Sequence, residues 1–318
     1  MSRIKKSLRY HKGKPNLVVI HPPGTLEDYP FSIPQYRESY LDFFKLAAKN
    51  FNIFYVRNKN KYRGQGSFSE GYQFKNNVFQ LYKNKIYARI IYNKTTLHAN
   101  GGRDWDIVNK WNLFKITSDK FRSYQMFKKL MKPTYRIRSK SEFKKKITKI
   151  TTDWAVFKPR RGGEGKGIII GPKLSIIKKM KKFDGIIQEF IDTSDGIPKI
   201  INSYHDMRIL VMNGRIVQTY IRIPKKGSYL ANIARGGKMQ EIKKKLVPKS
   251  ILKIVKYIDN KFSKYGARIY AVDFGFEHNQ PYLIEINTQP GLPYKEWKMY
   301  YNIWHGELLK TLLGAIKP

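Results

Sequence analysis

Apolar runs of strand length alternate with helical spacing over the first hundred residues. Asn16–His21 and Phe51–Val56 are such runs, and Tyr36–Lys49 between them carries apolar residues three and four positions apart. Further on, Val78–Tyr82 and Lys85–Tyr92 predict a hairpin. The strand–helix–strand opening predicts a small doubly wound lobe, and the chain as a whole is expected to be α/β with α+β character.

A second block of strand and helix patterns begins near Thr117. Ser118 or Asp119 can cap its first helix, because a short polar side chain there can accept from the free N–H groups of the first turn. Trp154–Lys158 predicts a strand that enters a glycine-rich loop. Further strand and helix patterns continue to Gln188.

The last block is predicted to contain two hairpins with a helix between them. The first hairpin turns at Asn213-Gly214, a strong two-residue turn signal between alternating apolar runs. The second hairpin spans Ala271–Gly291. We therefore divide the chain into an N-terminal lobe over residues 1–116, a small lobe over 117–190 and a large lobe over 191–318.

The second hairpin carries the most informative polar residues of the chain. Glu285 and Asn287 are two positions apart, so they share one face of their strand. A turn at His278–Gln280 places Asp273 opposite Glu285, on the same face. Carboxylate and amide oxygens suit magnesium, which proteins hold with one or two carboxylates plus substrate phosphates. The opposite face is predicted to enter the core through four apolar residues: Val272, Phe274, Ile284 and Ile286.

Composition excludes several classes of site. The 318 residues include no cysteine, so disulfides, zinc–thiolate sites and a cysteine nucleophile are excluded. The apolar run near the N-terminus is too short for a signal peptide, and no stretch has the length of a membrane span. We expect a cytoplasmic protein that forms a homo-oligomer.

The formal net charge of +40 is unusual. A field of this size attracts polyanions, such as nucleic acid, an anionic membrane, an acidic peptide or a nucleotide. The chain is also rich in Lys, Asn, Ile and Tyr together, the composition of an AT-rich coding sequence, which explains abundant lysine without any partner. Both explanations stay open. Three basic runs stand out: Lys144–Lys146, Lys178–Lys179 with Lys181–Lys182, and Lys243–Lys245.

A glycine-rich loop follows the strand that ends at Lys158. Glycines let a backbone approach a phosphate closely and present N–H groups to it. The spacing is not that of a Walker loop, and an ordinary hairpin turn is the alternative, although four glycines in six positions exceed what a turn needs. The loop positions assigned to nucleotide binding are Gly162, Gly163, Glu164, Gly165 and Gly167.

Two lysines and one strand end complete the candidate nucleotide site. Lys158 ends an apolar strand, from which it can reach a phosphate as a point charge. Lys120 opens a helix and is, taken alone, an ordinary solvated lysine. The strand end bears a polar pair and two apolar residues that can hold a purine: Gln188, Glu189, Phe190 and Ile191.

Together these segments resemble the ATP-grasp superfamily, and most closely the ribosomal-protein glutamate ligases and related peptide ligases. The resemblance covers roughly Thr117 to Leu292, with seven motifs in the family's order. They are SDK at 118–120, FKP at 157–159, RGGEGKGI at 161–168, QEFI at 188–191, DMR at 206–208, NIARGG at 232–237 and the Asp273, Glu285, Asn287 set. One departure is Leu230-Ala231, which stands where those enzymes carry an Arg-Ser pair.

The resemblance implies an ATP-grasp fold, in which two α/β lobes grip ATP after a small α/β pre-grasp domain. It also implies carboxylate–amine ligation through an acyl phosphate, with an amino acid or acidic peptide as substrate. Two Mg²⁺ ions, or Mn²⁺ in their place, would bind at Asp273, Glu285 and Asn287. Asn232 and Arg235 would face the phosphates and the acyl intermediate, and Asp206 and Arg208 would belong to the nucleotide site.

Two other functions remain open from the sequence. An ATP-grasp kinase would phosphorylate a hydroxyl, so its product would be a phosphoester rather than an amide. A non-catalytic nucleotide- or nucleic-acid-binding protein would have no need of the complete metal set. His98, His205 and His278 lack metal-ligand spacing, and we interpret them as loop or surface residues.

Overall fold

A computed structural model describes residues 13–231, 233 and 236–316. Contacts between residues divide the chain into two compact units. The first unit consists of three stretches: the residues up to Leu97, Gly101–Val108, and those from Leu312. The second consists of two stretches, His98–Asn100 and Asn109–Thr311. In the described ranges no helix is long and apolar enough to cross a bilayer.

A six-stranded sheet organises the first unit. Its elements are β1 (Asn16–His21), α1 (Pro34–Ala47), β2 (Asn52–Arg57), β3 (Ser67–Phe68), β4 (Gly71–Lys75), β5 (Val78–Tyr82), β6 (Ile86–Tyr87), β7 (Ile90–Asn93) and β8 (Asp106–Val108). The strand order is β5-β4-β2-β1-β7-β8, with a separate β3-β6 pair. β1 runs parallel to β2 and β7, and helix α1 buries Tyr40, Phe43 and Phe44. The predicted strand–helix–strand opening is confirmed.

The predicted hairpin between Val78–Tyr82 and Lys85–Tyr92 is wrong. β5 pairs instead with β4, and the turn between them is Asn76-Asn77. Both asparagines have positive φ, 52° and 64°, the backbone that a tight two-residue hairpin requires. The following stretch splits into β6, which pairs with β3, and β7, which joins β1 in parallel.

The second unit begins with a small antiparallel sheet. Its elements are α2 (Trp111–Thr117), α3 (Lys120–Phe127), β9 (Thr134–Ile137), α4 (Lys140–Ile147), β10 (Trp154–Pro159), β11 (Ile169–Pro172), α5 (Ile176–Lys179) and β12 (Gly185–Glu189). The strand order is β11-β10-β12-β9. Phe143 of α4 and Ile176 of α5 pack with Phe157 and Ile187 in one core. The helices therefore cover one face of this sheet and leave Val156 and Lys158 on the other.

A five-stranded antiparallel sheet forms the rest of this unit. Its elements are β13 (Asp206–Met212), β14 (Arg215–Ile223), β15 (Lys238–Glu241), α6 (Lys249–Phe262), β16 (Ile269–Glu277), β17 (Gln280–Asn287) and α7 (Tyr301–Gly314), of which the residues from Leu312 are counted in the first unit. The strand order is β15-β14-β13-β16-β17. Met207, Val272 and Phe274 pack with Val255 and Phe262 of α6 in the core. Because side chains alternate along a strand, the opposite face carries the polar residues of β13 and β16.

The β16–β17 hairpin confirms the pairing of Asp273 with Glu285, although its turn is shorter than predicted. The turn is the two residues His278-Asn279, with φ of 50° and 61°. Without any other irregularity, this shorter turn would shift every β16–β17 residue pair by one position from the predicted register. A β-bulge between Asp273 and Phe274 restores the register, so Asp273 faces Glu285.

The same bulge reverses one predicted core position. Leu283 is fully buried in the core, while Ile284 lines the cleft on the opposite side. The assignment of Ile284 to the core is therefore wrong, and those of Val272, Phe274 and Ile286 are confirmed. The division of the chain at residues 116 and 190 stays a prediction.

Candidate active site

A cleft lies between the two sheets of the second unit, with about 820 Å³ of empty space that includes space open to solvent. Strands β10, β12, β13, β14, β16 and β17 all contribute residues to it. The predicted site residues that line it are Lys120, Lys158, Gly165, Gln188, Glu189, Phe190, Ile191, Asp206, Asp273 and Glu285.

Lys158 is held inside the cleft by a short hydrogen-bond chain. It is 6% exposed and donates to Oε1 of Gln188 at 2.7 Å, and the Gln188 amide donates to Thr134 at 2.8 Å. Burial lowers the pKa of Lys158 to about 8, with Lys120 acting in the same direction and Glu285 and Asp273 against it. An ammonium that is poorly solvated in this way gains more from a bound phosphate than a surface lysine would.

Lys120 is placed by the start of helix α3. Asp119 caps this helix by accepting from the N–H groups of Phe121 and Arg122, at 3.1 and 3.3 Å. The same carboxylate accepts from the Arg160 guanidinium at 2.6–2.7 Å, which holds the pKa of Asp119 below its usual range although burial opposes this. Asp119 was predicted only as a possible cap, so its link to the glycine-rich loop was missed.

The Lys120 ammonium reaches two parts of the site. It donates to the Gly162 carbonyl at 2.8 Å and lies 3.2 Å from Oε1 of Glu285. One lysine thereby joins the glycine-rich loop to the predicted metal ligands.

The glycine-rich loop needs glycine backbone at several positions. Gly162, Gly165 and Gly167 have φ of 112°, 69° and 71°, where a Cβ atom is unfavourable. A Cβ on Gly167 would also lie 2.8 Å from the Pro159 ring. Gly163 has open space around it, and Glu164 forms an exposed pair with Lys166 at 2.6 Å. Gly165 is the member of the loop that lines the cleft.

The end of β12 forms one wall of the cleft. The carboxylate of Glu189 accepts from the backbone N–H and the hydroxyl of Thr151, at 3.0 and 2.6 Å. This side chain therefore anchors the strand end. Phe190 and Ile191 line the cleft beside it, with Tyr204 and Tyr229.

A network of four ionic side chains, three of them buried and Arg208 half-buried, underlies the polar end of the cleft. Arg208 donates to both oxygens of Asp273 at 2.6 Å, and Arg222 donates to Asp273 at 2.7 Å. Arg222 also donates to both oxygens of Asp206, at 2.6 and 2.7 Å. Burial would raise the pKa of Asp273, but the two guanidiniums hold it below its usual range. Burial raises the pKa of Asp206 to about 6 against the opposing effect of Arg222.

The oxygen atoms of Asp273, Glu285 and Asn287 provide some of the ligands that a divalent cation needs. Asp273 and Glu285 face each other across paired strands, and each ionised carboxylate offers about four lone-pair positions. Asp273 uses three of these on arginines, whereas Glu285 uses one on Lys120. The Asn287 amide oxygen accepts from the Gln289 N–H at 2.8 Å, which leaves its second lone pair. Glu285 therefore has the largest remaining capacity for a metal.

Two carboxylates and one amide are fewer ligands than a protein-only metal site needs. Among the residues that the structure describes, no group of three or more His, Asp or Glu could hold a metal ion. A cation here would take its remaining ligands from phosphates and water, the usual arrangement for magnesium.

Sequence reasoning missed or misplaced several residues of the site. Arg222 was not predicted. His205 lies in the loop before β13, as predicted, but it is buried: it is 4% exposed, lines the cleft, and its Nδ1 lies 2.9 Å from the Ser203 carbonyl. His278 is exposed at a turn, and exposed His98 stacks on Trp111. Asn232 and Arg235 lie outside the described residues, but their neighbours Leu230 and Ala231 line the cleft.

A probable alpha-L-glutamate ligase of Legionella pneumophila (strain Corby) is 29% identical over 209 residues, which is 63% of this chain and 64% of the relative. This chain thus matches less than two thirds of that relative's length.

Solved structures establish the fold. D-alanyl-alanine synthetase A from Vibrio cholerae O1 biovar eltor superimposes with a TM-score of 0.65 at 14% identity, over 95% of this chain and 98% of that one. A RimK domain protein ATP-grasp from Sphaerobacter thermophilus gives 0.59 at 10% identity, over 94% and 100%. The α/β class and the ATP-grasp fold predicted from the sequence are confirmed. The RimK-like ATP-grasp domain model matches residues 117–311, and with more than half of its length matched the chain belongs to this family.

Proposed function

We propose that this protein is an ATP-dependent carboxylate–amine ligase that forms an amide or peptide bond through an acyl phosphate. One observation carries the proposal: Lys120 and Lys158 face Asp273 and Glu285 in a single cleft, beside a glycine-rich loop. Phosphoryl transfer needs positioning and charge neutralisation more than covalent help from the protein. The cleft supplies both.

The residues divide between nucleotide and reaction centre. Phe190 and Ile191 line the wall proposed for the adenine, and Lys158 and Lys120 are directed to the phosphates. Asp273, Glu285 and Asn287 would hold two Mg²⁺ ions, which neutralise phosphate charge when bound. Glycine-loop closure would exclude the water that hydrolyses an acyl phosphate.

The reaction that we propose has two steps. A substrate carboxylate attacks the γ-phosphate of ATP, which releases ADP and leaves an acyl phosphate. An amine then attacks the acyl carbon and the C–O bond to phosphate breaks, so that inorganic phosphate leaves and the nitrogen loses one proton to the phosphate or to solvent. We assign Arg235 to stabilise the charge that develops in both steps, and Asn232 to contact the phosphates and the acyl intermediate.

The substrate is proposed to be an amino acid or an acidic peptide. The Legionella pneumophila relative is named a probable alpha-L-glutamate ligase, so glutamate is the first substrate to test. All three basic runs predicted from the sequence contain exposed lysines, which would attract an acidic acceptor. Steep loss of affinity for an acidic peptide with added salt, but not for its glutamine counterpart, would support this role over compositional drift.

The decisive experiment measures ADP release with glutamate and a panel of amines, followed by mass spectrometry of the product. The proposal requires that ADP release depend on both a carboxylate and an amine, and that the product be an amide. A phosphoester product would instead identify a kinase. Salt-sensitive nucleic-acid binding without any ATP turnover would favour a binding protein.

A further inference from the structure

Helix α6 presents a row of polar residues to solvent. Its apolar side packs into the core of the large sheet, on the face of that sheet opposite the cleft. The positions on the other side recur every three or four residues, so they lie above one another along the helix. All of them are exposed: Lys249, Lys253, Lys256, Asn260 and Lys264, the last in the single helical turn that continues α6. At about 1.5 Å per residue, the row is roughly 20 Å long.

The positive charge of α6 is not a general property of the helices in this chain. Helices α1, α6 and α7 each have 14 residues. α1 contains two basic and two acidic residues, and α7 contains one lysine and one glutamate, whereas α6 contains four lysines and a single acid, Asp259. Compositional drift would raise the lysine content of every solvated helix, so it does not account for this difference.

The one acid of α6 does not reduce the charge of the exposed row. Asp259 is 9% exposed, and both of its carboxylate oxygens accept from the Arg268 guanidinium. The run Lys243–Lys245, which is exposed throughout, precedes the helix and adds three further charges. The solvent side of α6 is therefore uniformly positive.

An exposed aromatic ring stands among these lysines. Tyr257 is 46% exposed, and its ring meets the Phe127 ring at a centroid distance of 6.3 Å. Phe127 is followed directly by the exposed residues Lys128 and Lys129. The Lys261 ammonium lies over the Tyr257 ring, 5.6 Å from its centroid. Such a cation–π contact is weak at an exposed site, so another group can replace Lys261 on the ring.

We propose that this face of α6 binds single-stranded nucleic acid, with the lysine row on the phosphates and Tyr257 stacked on a base. A basic surface that follows the backbone, combined with aromatic rings that stack on bases, is how proteins hold single strands without reading their sequence. This activity goes beyond the proposed ligation. It uses the face of the large sheet opposite the cleft and needs neither ATP nor an amine.

Other polyanions fit this surface less well. An interfacial helix inserts its apolar side into a bilayer, but the apolar side of α6 is already buried in the core. An acidic peptide has carboxylates but no base for Tyr257 to stack on. The bases of a duplex are stacked on one another and are closed to the ring.

Fluorescence anisotropy of labelled strands measures this binding on the full chain, without ATP. The probes are oligothymidylate and oligouridylate of about 15 nucleotides, the upper range of site sizes for such proteins. Each phosphate contact contributes about 0.7 to the slope of log K against log salt, so the four lysines of the row predict a slope of about −3. Tighter binding of either probe would identify the strand as DNA or RNA.

Removal of three charges from the row tests its role. Lys249→Gln, Lys253→Gln and Lys256→Gln combined should weaken binding by about tenfold or more and make the slope shallower by about 2. The matched control combines Lys75→Gln, Lys83→Gln and Lys85→Gln, which removes three exposed charges from the first unit. It should change the Kd by no more than about twofold. Equal losses in the two triple variants would overturn the proposal, because net charge alone would then explain binding.

Tyr257 separates stacking from charge. Tyr257→Ala should weaken binding by about tenfold while leaving the salt slope unchanged, since a stacked base releases no counterions. Tyr257→Phe keeps the ring and should bind as the wild type does. Wild-type affinity in Tyr257→Ala would contradict the assigned stacking.

Competition identifies the class of ligand. Polyglutamate, or vesicles of phosphatidylserine and phosphatidylcholine, should displace the labelled strand only at much higher charge concentration than an unlabelled strand. Equal displacement by either competitor would overturn the choice of nucleic acid. The α6 triple variant should keep its rate of ADP release. If the wild type binds the strand but forms no amide, the proposed ligation fails and this surface stands, whereas amide formation without strand binding would refute the surface alone.

Discussion

The guanidinium of Arg222 donates to Asp273 at 2.7 Å inside the sheet that forms the floor of the cleft. Both side chains are less than 10% exposed, and the same Nη2 atom of Arg222, together with its Nε, donates to the two oxygens of buried Asp206. The predicted metal ligand Asp273 is thus oriented by an arginine from β14 and by Arg208 from β13. This is an ionic network in which every charge has a partner.

Removal of the Arg222 guanidinium should lower the free energy of unfolding. Arg222→Met leaves Asp206 without its only described guanidinium partner and Asp273 with one fewer, so we expect a loss of about 3–5 kcal/mol in the free energy of unfolding. Urea titration measures it. Arg215→Met is the control, because Arg215 begins the same strand but is 70% exposed and lies 3.5 Å from Glu307. Its change should stay within about 0.5 kcal/mol, and a similar value for Arg222→Met would contradict the role of the network.

Asp119 should affect both stability and nucleotide affinity. Asp119→Ala removes the cap of α3, a loss of about 1 kcal/mol, together with the anchor of Arg160. Because Lys120 is the next residue and contacts Gly162, the KM for ATP should rise by about tenfold. Steady-state kinetics with varied ATP measure this change.

Ser139→Ala is the matched control for Asp119. Ser139 caps α4 through the Glu142 N–H at 3.1 Å, on the side of the small sheet away from the cleft. The two variants should therefore lose comparable cap energy, and only Asp119→Ala should change the KM for ATP. An equal KM in both variants would show that Asp119 is a helix cap and nothing more.

The two hairpins of the large sheet and the pairing of Asp273 with Glu285 were predicted from the sequence, whereas the β-bulges in those hairpins were not. The alternation of apolar and polar residues identified both hairpins of the large sheet, because that pattern is a local property of each strand. The bulges at Leu210–Val211 and Asp273–Phe274 leave no comparable signal. They shift one strand by a single residue where long-range packing favours it.

Arg222 shows the consequence of an unpredicted bulge. A regular hairpin turning at Asn213-Gly214 pairs Asp206 with Ile221, so no ion pair is expected there. The bulge moves Arg222 opposite Asp206 instead. In the β16–β17 hairpin, the shorter turn and the β-bulge shift the register in opposite directions, so their effects cancel at Asp273. Asp273 was therefore paired correctly with Glu285, although Ile284 was assigned to the wrong face.

Glu285 should determine the metal dependence of turnover. Glu285→Gln keeps the shape of the side chain but removes the charge that faces Lys120. We expect ADP release to fall at least 100-fold and the Mg²⁺ concentration needed for half-maximal rate to rise. Glu307→Gln on α7 is the control, since Glu307 pairs with Lys310 and Arg215 and takes no part in the cleft. Unchanged turnover in Glu285→Gln would refute its assignment as a metal ligand.

We expect Lys158 to make the free energy of unfolding rise with pH in the alkaline range. Its folded-state pKa is lowered to about 8, whereas a lysine in the unfolded chain titrates near 10.4. Between these values the unfolded state binds more protons, so the free energy of unfolding increases with pH. Below about pH 8 the full penalty of the buried charge is present, on the order of 3 kcal/mol from the difference in pKa.

Other lysines also titrate in this range, so the comparison must be made against Lys158→Met, which lacks the charge at this one position. Urea unfolding of both proteins from pH 7 to 10.5 should show the wild type gaining stability relative to the variant as the pH rises. Lys158→Arg should show no such relative gain, because arginine remains charged throughout this range. Parallel curves for the wild type and Lys158→Met would mean that the Lys158 ammonium is solvated in the folded state. Burial would then not strengthen the binding of phosphate by Lys158.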